Sequence, residues 1–293
     1  MGTEQDALFE AHRRRLGAVA YRMLGSLSEA DDAVQEAWLR FARHDTDGVE
    51  NLGGWLTTVV SRICLDMLRA RAARREEPWA VHLPDPVVTA ADDDPEERAV
   101  LADSVSFALL VVLDALSPAE RLAFVLHDLF GVPFAEIGPM LGRSPAAAKQ
   151  LASRARHRVR GSTPSADGAT DTGTDAARRR EVAEAFLAAA RDGDLTRLLA
   201  VLDADVVLRA DAGDGPLGPS RRVTGAPAVA RQARRFNALA PHARPVVVNG
   251  APGYLTVAGG QVLTLVTMTV RGDRIVAIDV IADPQRLRRL DLP

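Results

Sequence analysis

Arg143, Ser144, Lys149, Gln150, Ser153, Arg154 and Arg156 bring cations and hydrogen-bond donors into one short stretch that contains no acid. Arginine and lysine reach phosphates and guanine edges, and glutamine and serine address other base edges, so this set has the chemistry of a DNA reader. A second set has the residue types of acid-base catalysis: Asp203, Asp205, Asp211 and His242. They stand singly near turns, where such residues more often cap the chain or face solvent. Among these candidates no tight carboxylate pair and no metal-ligand cluster appears, so the expectation is no catalytic residue, no metal and no cofactor.

The basic set needs a frame that presents it on one side. Residues 133–160 supply a helix-turn-helix pattern. Phe134, Ile137 and Leu141 face inward from a first helix, Gly142 permits a left-handed turn, and Ser144 caps a second helix with Pro145 at its tolerated first position. Ala148, Leu151 and Ala155 give that helix an apolar seam and leave the basic set outward, a form suited to a major groove. The competing reading is a packed helical hairpin with a solvated basic face, and Pro139 departs from good helix chemistry.

Upstream, from Leu8 to about Arg75, apolar residues recur at helical spacing: Leu16, Val19, Ala20 and Met23, then Ala33, Val34, Ala37, Trp38 and Phe41, then Trp55, Val59, Ile63 and Met67. This predicts an all-α first domain at 5–77. Ser28 and Asp31 resemble a capping box with the shorter acid, and Asn51, Gly53 and Gly54 mark a loop into the third helix. Pro78, Pro84, Pro86 and Pro95, with acids at Asp92, Asp93 and Asp94, mark an interdomain linker at 78–97. A second helical block at 98–161 contains the helix-turn-helix, and 162–177 reads as a flexible tether. The remainder, 178–293, predicts helices at 178–191, 195–202 and about 228–238. Strands are expected at 206–209, 245–248, 254–257, 262–270 and 275–281, the last two joined by a hairpin turn at 271–274. Helices first and an antiparallel sheet after make this part α+β.

A chain of 293 residues exceeds most single cores, so two or three domains are expected. Its 47% hydrophobic and 26% charged residues exclude wholesale disorder and a fibre. The apolar stretch from Phe107 to Leu113 is closed by Asp114, short of the roughly 20 residues that span a bilayer. Glu4, Asp6 and Glu10 replace the basic start and apolar run of a signal peptide, so a cytoplasmic protein is expected. The single Cys64 cannot pair within the chain and sits where a small buried hydrophobe belongs. A net charge of -3 conceals alternating basic and acidic blocks, and local distribution matters more than the sum for nucleic-acid binding.

Residues 28–41 and 55–71 resemble conserved regions 2.2 and 2.3 to 2.4 of the sigma-70 family, and Ser117 through Arg160 resembles region 4. Their order and spacing, without regions 1 and 3, are similar to the extracytoplasmic-function group of RNA polymerase sigma factors. The resemblance implies two partners: the RNA polymerase core, through its beta-prime clamp and beta flap, and promoter DNA. It places Asp32, Gln35 and Glu36 on the clamp-binding positions of region 2.2. By residue pattern alone, these three are the solvated face of an amphipathic helix. For opening the minus-ten element it points to Asn51, Arg62, Arg69, Arg71, Arg74 and Arg75, with residues 44–51 forming a pocket for an extruded base. Asp66 is spaced to pair with Arg62 or Arg69, and Trp55 reads as core. Arg62 stands where the family often has Asn, which implies a different minus-ten preference. The minus-35 element would fall to the basic set on the second helix of the helix-turn-helix.

From Arg178 the chain resembles SnoaL-like domains of the NTF2-like cone fold. Their fusion behind a sigma factor is a feature of the SigJ-like subgroup, which carries three motifs. Here these are Leu83, Pro84, Asp85 and Pro86 in the linker, Asp211 to Gly215 including Asp214, and Asp283, Pro284 to Leu287. The second and third depart from the family consensus. The resemblance implies that the tail docks on residues 83–86 and regulates in cis. A ligand-responsive repressor and an enzyme acting through the cone are the rival readings, and a small-molecule ligand in the tail remains open.

Overall fold

A computed structural model of the chain describes residues 2–43, 51–74, 82–90, 105–162, 173–213, 215 and 217–293. Residues 44–50 of the expected base pocket, Arg75 and Asp214 lie outside the described residues. Two compact units are present: residues 1–78 with 109–166, and residues 79–108 with 167–293. The linker therefore clusters with the tail, a grouping that the order of segments along the chain does not suggest.

The first unit contains helices α1 (Gly2–Leu24), α2 (Leu27–Arg43) and α3 (Leu52–Arg74). Leu16, Val19, Ala20 and Met23 of α1 are buried, as are Ala30, Ala33, Val34, Ala37 and Phe41 of α2. These are the stripes their spacing predicts. The start of α2 differs from expectation. Ala30 N–H donates to the Ser26 carbonyl at 3.0 Å, so the helix begins ahead of the Ser28 and Asp31 box. On α3 the buried apolar residues are Leu56, Val60, Ile63, Cys64, Leu65 and Leu68, with Thr57 and Ser61 buried among them. Of the expected face, only Ile63 is fully buried, while Trp55, Val59 and Met67 are half-buried. This helix is packed by α1, α2 and the helices that follow the linker, so burial spreads beyond one stripe.

Helix α4 (Phe107–Asp114) leads to α5 (Pro118–Phe124), which runs into a π-helical turn at Val125–Leu129. Then come α6 (Phe134–Leu141) and α7 (Pro145–Ser162), the expected helix-turn-helix. Gly142 adopts φ 64, and Arg143 N–H closes on the Gly138 carbonyl at 2.9 Å, a left-handed helix end. Ser144 Oγ accepts from Ala147 N–H at 3.2 Å, which caps α7. Gly138 allows the turn to lie against α6. A Cβ there would sit 2.8 Å from the Arg143 carbonyl oxygen and 3.0 Å from Pro145 N. Gly138→Ala is therefore expected to cost about 1–3 kcal/mol through forced backbone shifts, read as a lower urea midpoint at unchanged slope. Pro139 forfeits one helical bond, while Ile137, Met140 and Leu141 keep the segment anchored in the core.

The second unit holds α8 (Gly173–Asp192), α9 (Leu195–Val201), α10 (Ala226–Arg235), a short α11 (Pro284–Leu287) and seven strands. These are β1 (Val88–Ala90), β2 (Leu202–Asp211), β3 (Arg221–Thr224), β4 (Ala243–Val248), β5 (Ala251–Ala258), β6 (Gln261–Arg271) and β7 (Arg274–Ile281). The sheet runs β1-β4-β5-β6-β7-β2-β3, antiparallel except between β2 and β7. Its core joins Phe186, Leu198 and Val229 from the helices to Val206, Tyr254, Met268 and Ile278 from the strands. All five expected strands are present with their ends extended. Strands β1 and β3 were not anticipated. The architecture is two all-α segments followed by an α+β tail, the fold class the sequence implied.

Candidate nucleic-acid interface

Helix α7 presents its cations as its apolar spacing requires. Ala148, Leu151, Ala152, Ala155 and Val159 are buried against the unit, while Arg143, Ser144, Lys149, Gln150, Ser153 and Arg154 are exposed. The expectation that no acid opposes this face fails for Arg156, which meets an acid directly, and for Arg154, whose charge acts on Glu120. The Arg156 Nε lies 3.4 Å from Asp128 of the π-helical turn, and the side chain is only half-exposed. The acid comes from another element, so the local sequence of α7 does not show it. Arg158 likewise reaches back to Glu120 at 2.8 Å. Burial pushes the Glu120 carboxyl up, but hydrogen bonds from Ser117 and the charges of Arg158 and Arg154 outweigh it and hold it below its ordinary value.

In the helical bundle ahead of the linker, Asp32 and Gln35 are exposed on α2, and half-buried Glu36 pairs with Arg40 at 2.9 Å. Asn51 closes the start of α3, its Oδ1 accepting from Gly54 N–H at 2.9 Å. A Cβ on Gly54 would come within 2.7 Å of the Asn51 amide, so the glycines belong to the capped first turn rather than to a loop. Arg62 is exposed, and Arg69 pairs with Asp66 at 3.5 Å, resolving which arginine that acid meets. Arg74 lies in the last turn of α3. Arg71 points elsewhere. It donates to the Leu24 carbonyl at 3.2 Å and pairs with Glu29, which spends its fork inside the bundle. Trp55 packs near Phe41, ring centroids 6.3 Å apart, in a cluster with Phe9 and Trp38. Burial pushes the Cys64 thiol up, which removes thiolate reactivity.

Two buried arginines were not singled out in the sequence. Arg121 of α5 donates to the Leu113 carbonyl at 2.7 Å and the Met23 carbonyl at 2.8 Å, and pairs with Asp114 at 2.9 Å. Arg22 stacks over the Phe130 ring at 5.0 Å, and burial lowers its guanidinium to about 10. Arginines in apolar helical segments were the available signal, because an unpaired buried cation would be untenable.

The three tail and linker motifs converge within the second unit. Leu83, Pro84 and Pro86 are buried, and Leu83 N–H donates to Asp211 Oδ2 at 3.1 Å. Arg286 pairs with Asp211, and its Nη2 donates to the Leu83 carbonyl and to Asp85 Oδ1, both at 2.7 Å. The Asp211 carbonyl accepts from Ala282 N–H at 2.7 Å, and Asp283 caps α11 through Gln285 N–H at 2.8 Å. Pro284 sits at the start of that helix and Leu287 is buried. A Cβ on Gly213 would fall 2.9 Å from the Asp283 carboxyl, so the glycine lets these strand ends meet. Two further contacts continue the clasp. Asn249, at φ 47, exchanges hydrogen bonds with the Val87 backbone at 3.0 and 2.9 Å, and Val88 to Ala90 pair with Val248 to Val246. Arg286 and Asn249 were missed. Arg286 lies inside the motif from Asp283 to Leu287, and its charge against two motif acids is the readable signal.

The catalytic candidates do not assemble. Asp203 accepts from Asp205 N–H at 2.9 Å as a local cap, His242 is exposed, and Asp211 is consumed by the clasp. Among the described residues, no helix is long and apolar enough to cross a membrane.

A helix-turn-helix with a free basic face, behind a three-helix bundle with an exposed acidic face, defines a DNA-binding protein of the sigma type. Residues 8–74 match Sigma-70 region 2, and residues 106–159 match Sigma-70, region 4. The chain is 40% identical over 291 residues to the ECF RNA polymerase sigma factor SigJ of Mycobacterium tuberculosis, covering 95% of this chain and 91% of that one. It is 35% identical over 287 residues to the probable ECF RNA polymerase sigma factor SigI of the same species, covering 96% and 94%. The crystal structure of M. tuberculosis SigJ superposes with a TM-score of 0.75 at 37% identity over 98% of this chain and 99% of that one. The chain belongs to the ECF RNA polymerase sigma factors.

Proposed function

We propose that the chain directs core RNA polymerase to its promoters in the cytoplasm, under control of its own tail. Asp32, Gln35 and Glu36 on α2 offer an acidic face to the polymerase clamp. Asn51, Arg62, Arg69 and Arg74 serve the opened minus-ten element, with Arg71 bracing the bundle that carries them. Arg143, Ser144, Lys149, Gln150, Ser153 and Arg154 read the minus-35 element, and Arg156 orients the helix through Asp128. The tail acts in cis, because the segment joining the two DNA-reading regions is built into the tail's sheet and clasp.

The observation that carries this reading is the exposed face made by Arg143 and Ser144 of the turn with Lys149, Gln150, Ser153 and Arg154 of α7, in a chain that matches regions 2 and 4. Lys149→Ala with Arg154→Ala is expected to weaken promoter binding roughly 10- to 1,000-fold. It should also reduce the salt slope by about one for each phosphate that is no longer neutralised. Binding measured at several salt concentrations checks both. In vitro transcription with core polymerase, comparing the full chain with versions ending at Arg160 and before Asp283, tests the whole proposal. Promoter-specific transcripts that require the protein, with output changed by either truncation, are expected. Identical output from all three versions defeats cis regulation. Tight operator binding with no transcripts and no core binding would turn the reading to a repressor.

A further inference from the structure

The second unit contains a cavity of about 140 Å³ between α8, α10 and the sheet. Phe186, Leu208, Phe236, Met268 and Ile278 make its walls apolar. One feature is out of keeping with them. Arg221, the first residue of β3, lines the cavity, and its buried Nε has no hydrogen-bond partner among the described residues. Its Nη2 donates to the Leu217 carbonyl at 2.8 Å, and Gly218, at φ 92, passes so close that a Cβ there would lie 2.8 Å from Nη2. The turn therefore holds the guanidinium in place and leaves Nε–H unused. Gln232 adds a buried amide to the wall. Thr264 donates to Thr256 at 2.9 Å, and burial pushes the Tyr254 phenol up to about 12, which keeps it neutral. Among the described residues that line it, none is a carboxylate or a histidine.

A buried cationic N–H without an acceptor is costly. A carboxylate meets the demand, because it accepts from a guanidinium and neutralises it in the same contact. The volume sets the size of the rest. A cavity of about 150 Å³ takes a benzene-sized molecule, which limits an occupant to an apolar body of about six to eight carbons.

We infer that this cavity is a binding site for a small hydrophobic monocarboxylate, its acid group held by Arg221 and its body packed among Phe186, Phe236 and Met268. Binding is a property of the tail and does not depend on transcription.

The test uses the full chain with ¹³C-methyl methionine, cyclohexanecarboxylate as probe and cyclohexylmethanol as its neutral counterpart. The acid is expected to shift the Met268 methyl resonance saturably and to raise Tm by about 2–5 °C near saturation. The alcohol should bind at least roughly tenfold more weakly. Arg221→Met should erase that preference, and Arg221→Lys should keep part of it. If Arg221→Met does not fold, the comparison of acid with alcohol on the unaltered chain decides. Equal binding of the two probes, acid binding unchanged in Arg221→Met, or a Met268 resonance that neither probe moves would each overturn the inference.

Discussion

Asp211→Ala is expected to cost the second unit about 3–5 kcal/mol and to release the linker from it. The carboxylate serves two partners at once: the buried Leu83 N–H at 3.1 Å and the guanidinium of Arg286. Removing it strands the Leu83 N–H and leaves Arg286 only Asp85, the more exposed of its two acids. Arg286 is only 12% exposed at its side chain and Asp211 7%, so solvent cannot take over either role. Asp85→Ala is the matched control. That acid is 23% exposed and shares Arg286 with Asp211, so its loss leaves the cation paired and should cost about 1 kcal/mol. Urea unfolding gives the stability difference, and limited proteolysis at residues 82–90 reports whether the linker is held. Equal costs for the two variants would mean that Asp211 is not the centre of the clasp. If tail control runs through this clasp, Asp211→Ala in the full chain should move transcription output toward that of the version ending at Arg160.

How much of this was legible depends on where the determinants lie along the chain. The helix-turn-helix was readable because its turn glycine, its cap and its apolar seam all fall within residues 133–160. The stripes of α1 and α2 were readable for the same reason. Arg71 and Arg156 were assigned to DNA by type, yet each is engaged with an acid on another element: Glu29, 42 positions away, and Asp128, 28 positions away. Local periodicity carries no information about such pairings. Strand β1 is the extreme case. Val88, Thr89 and Ala90 sit among prolines and would be read as linker in isolation. They form a strand because Val246 to Val248 offer an open edge and Asn249 receives Val87. Strand β3, with the sequence Arg-Arg-Val-Thr at a sheet edge, lacks an alternating apolar pattern. On α3 packing on several sides buries more than one face, so a single apolar stripe does not describe its burial.

Arg121→Met is expected to lower the stability of the first unit by about 3–5 kcal/mol, although it replaces a charge with an apolar side chain of similar length. At 3% exposure the guanidinium has no access to water, and its fork is fully used: Nε on the Leu113 carbonyl, Nη1 on Met23, Nη2 on Asp114. The first and third contacts fasten the end of α4 to α5, and the second fastens α5 to the last turn of α1. Methionine fills the volume but supplies none of the hydrogen bonds that Arg121 gives to the Leu113 and Met23 carbonyls and to Asp114. Arg121→Lys separates charge from geometry. An ammonium can neutralise Asp114 or donate to a carbonyl, but it cannot span three acceptors in one plane, so it should recover less than half of the loss. Denaturation followed by circular dichroism measures both variants. A cost below about 1 kcal/mol for Arg121→Met would show that the three contacts do not act together. A large cost shared by Met and Lys would place the determinant in the fork rather than in the charge. The region 4 helices would then be fixed to α1 by directed hydrogen bonds, and apolar contact alone would not hold them there.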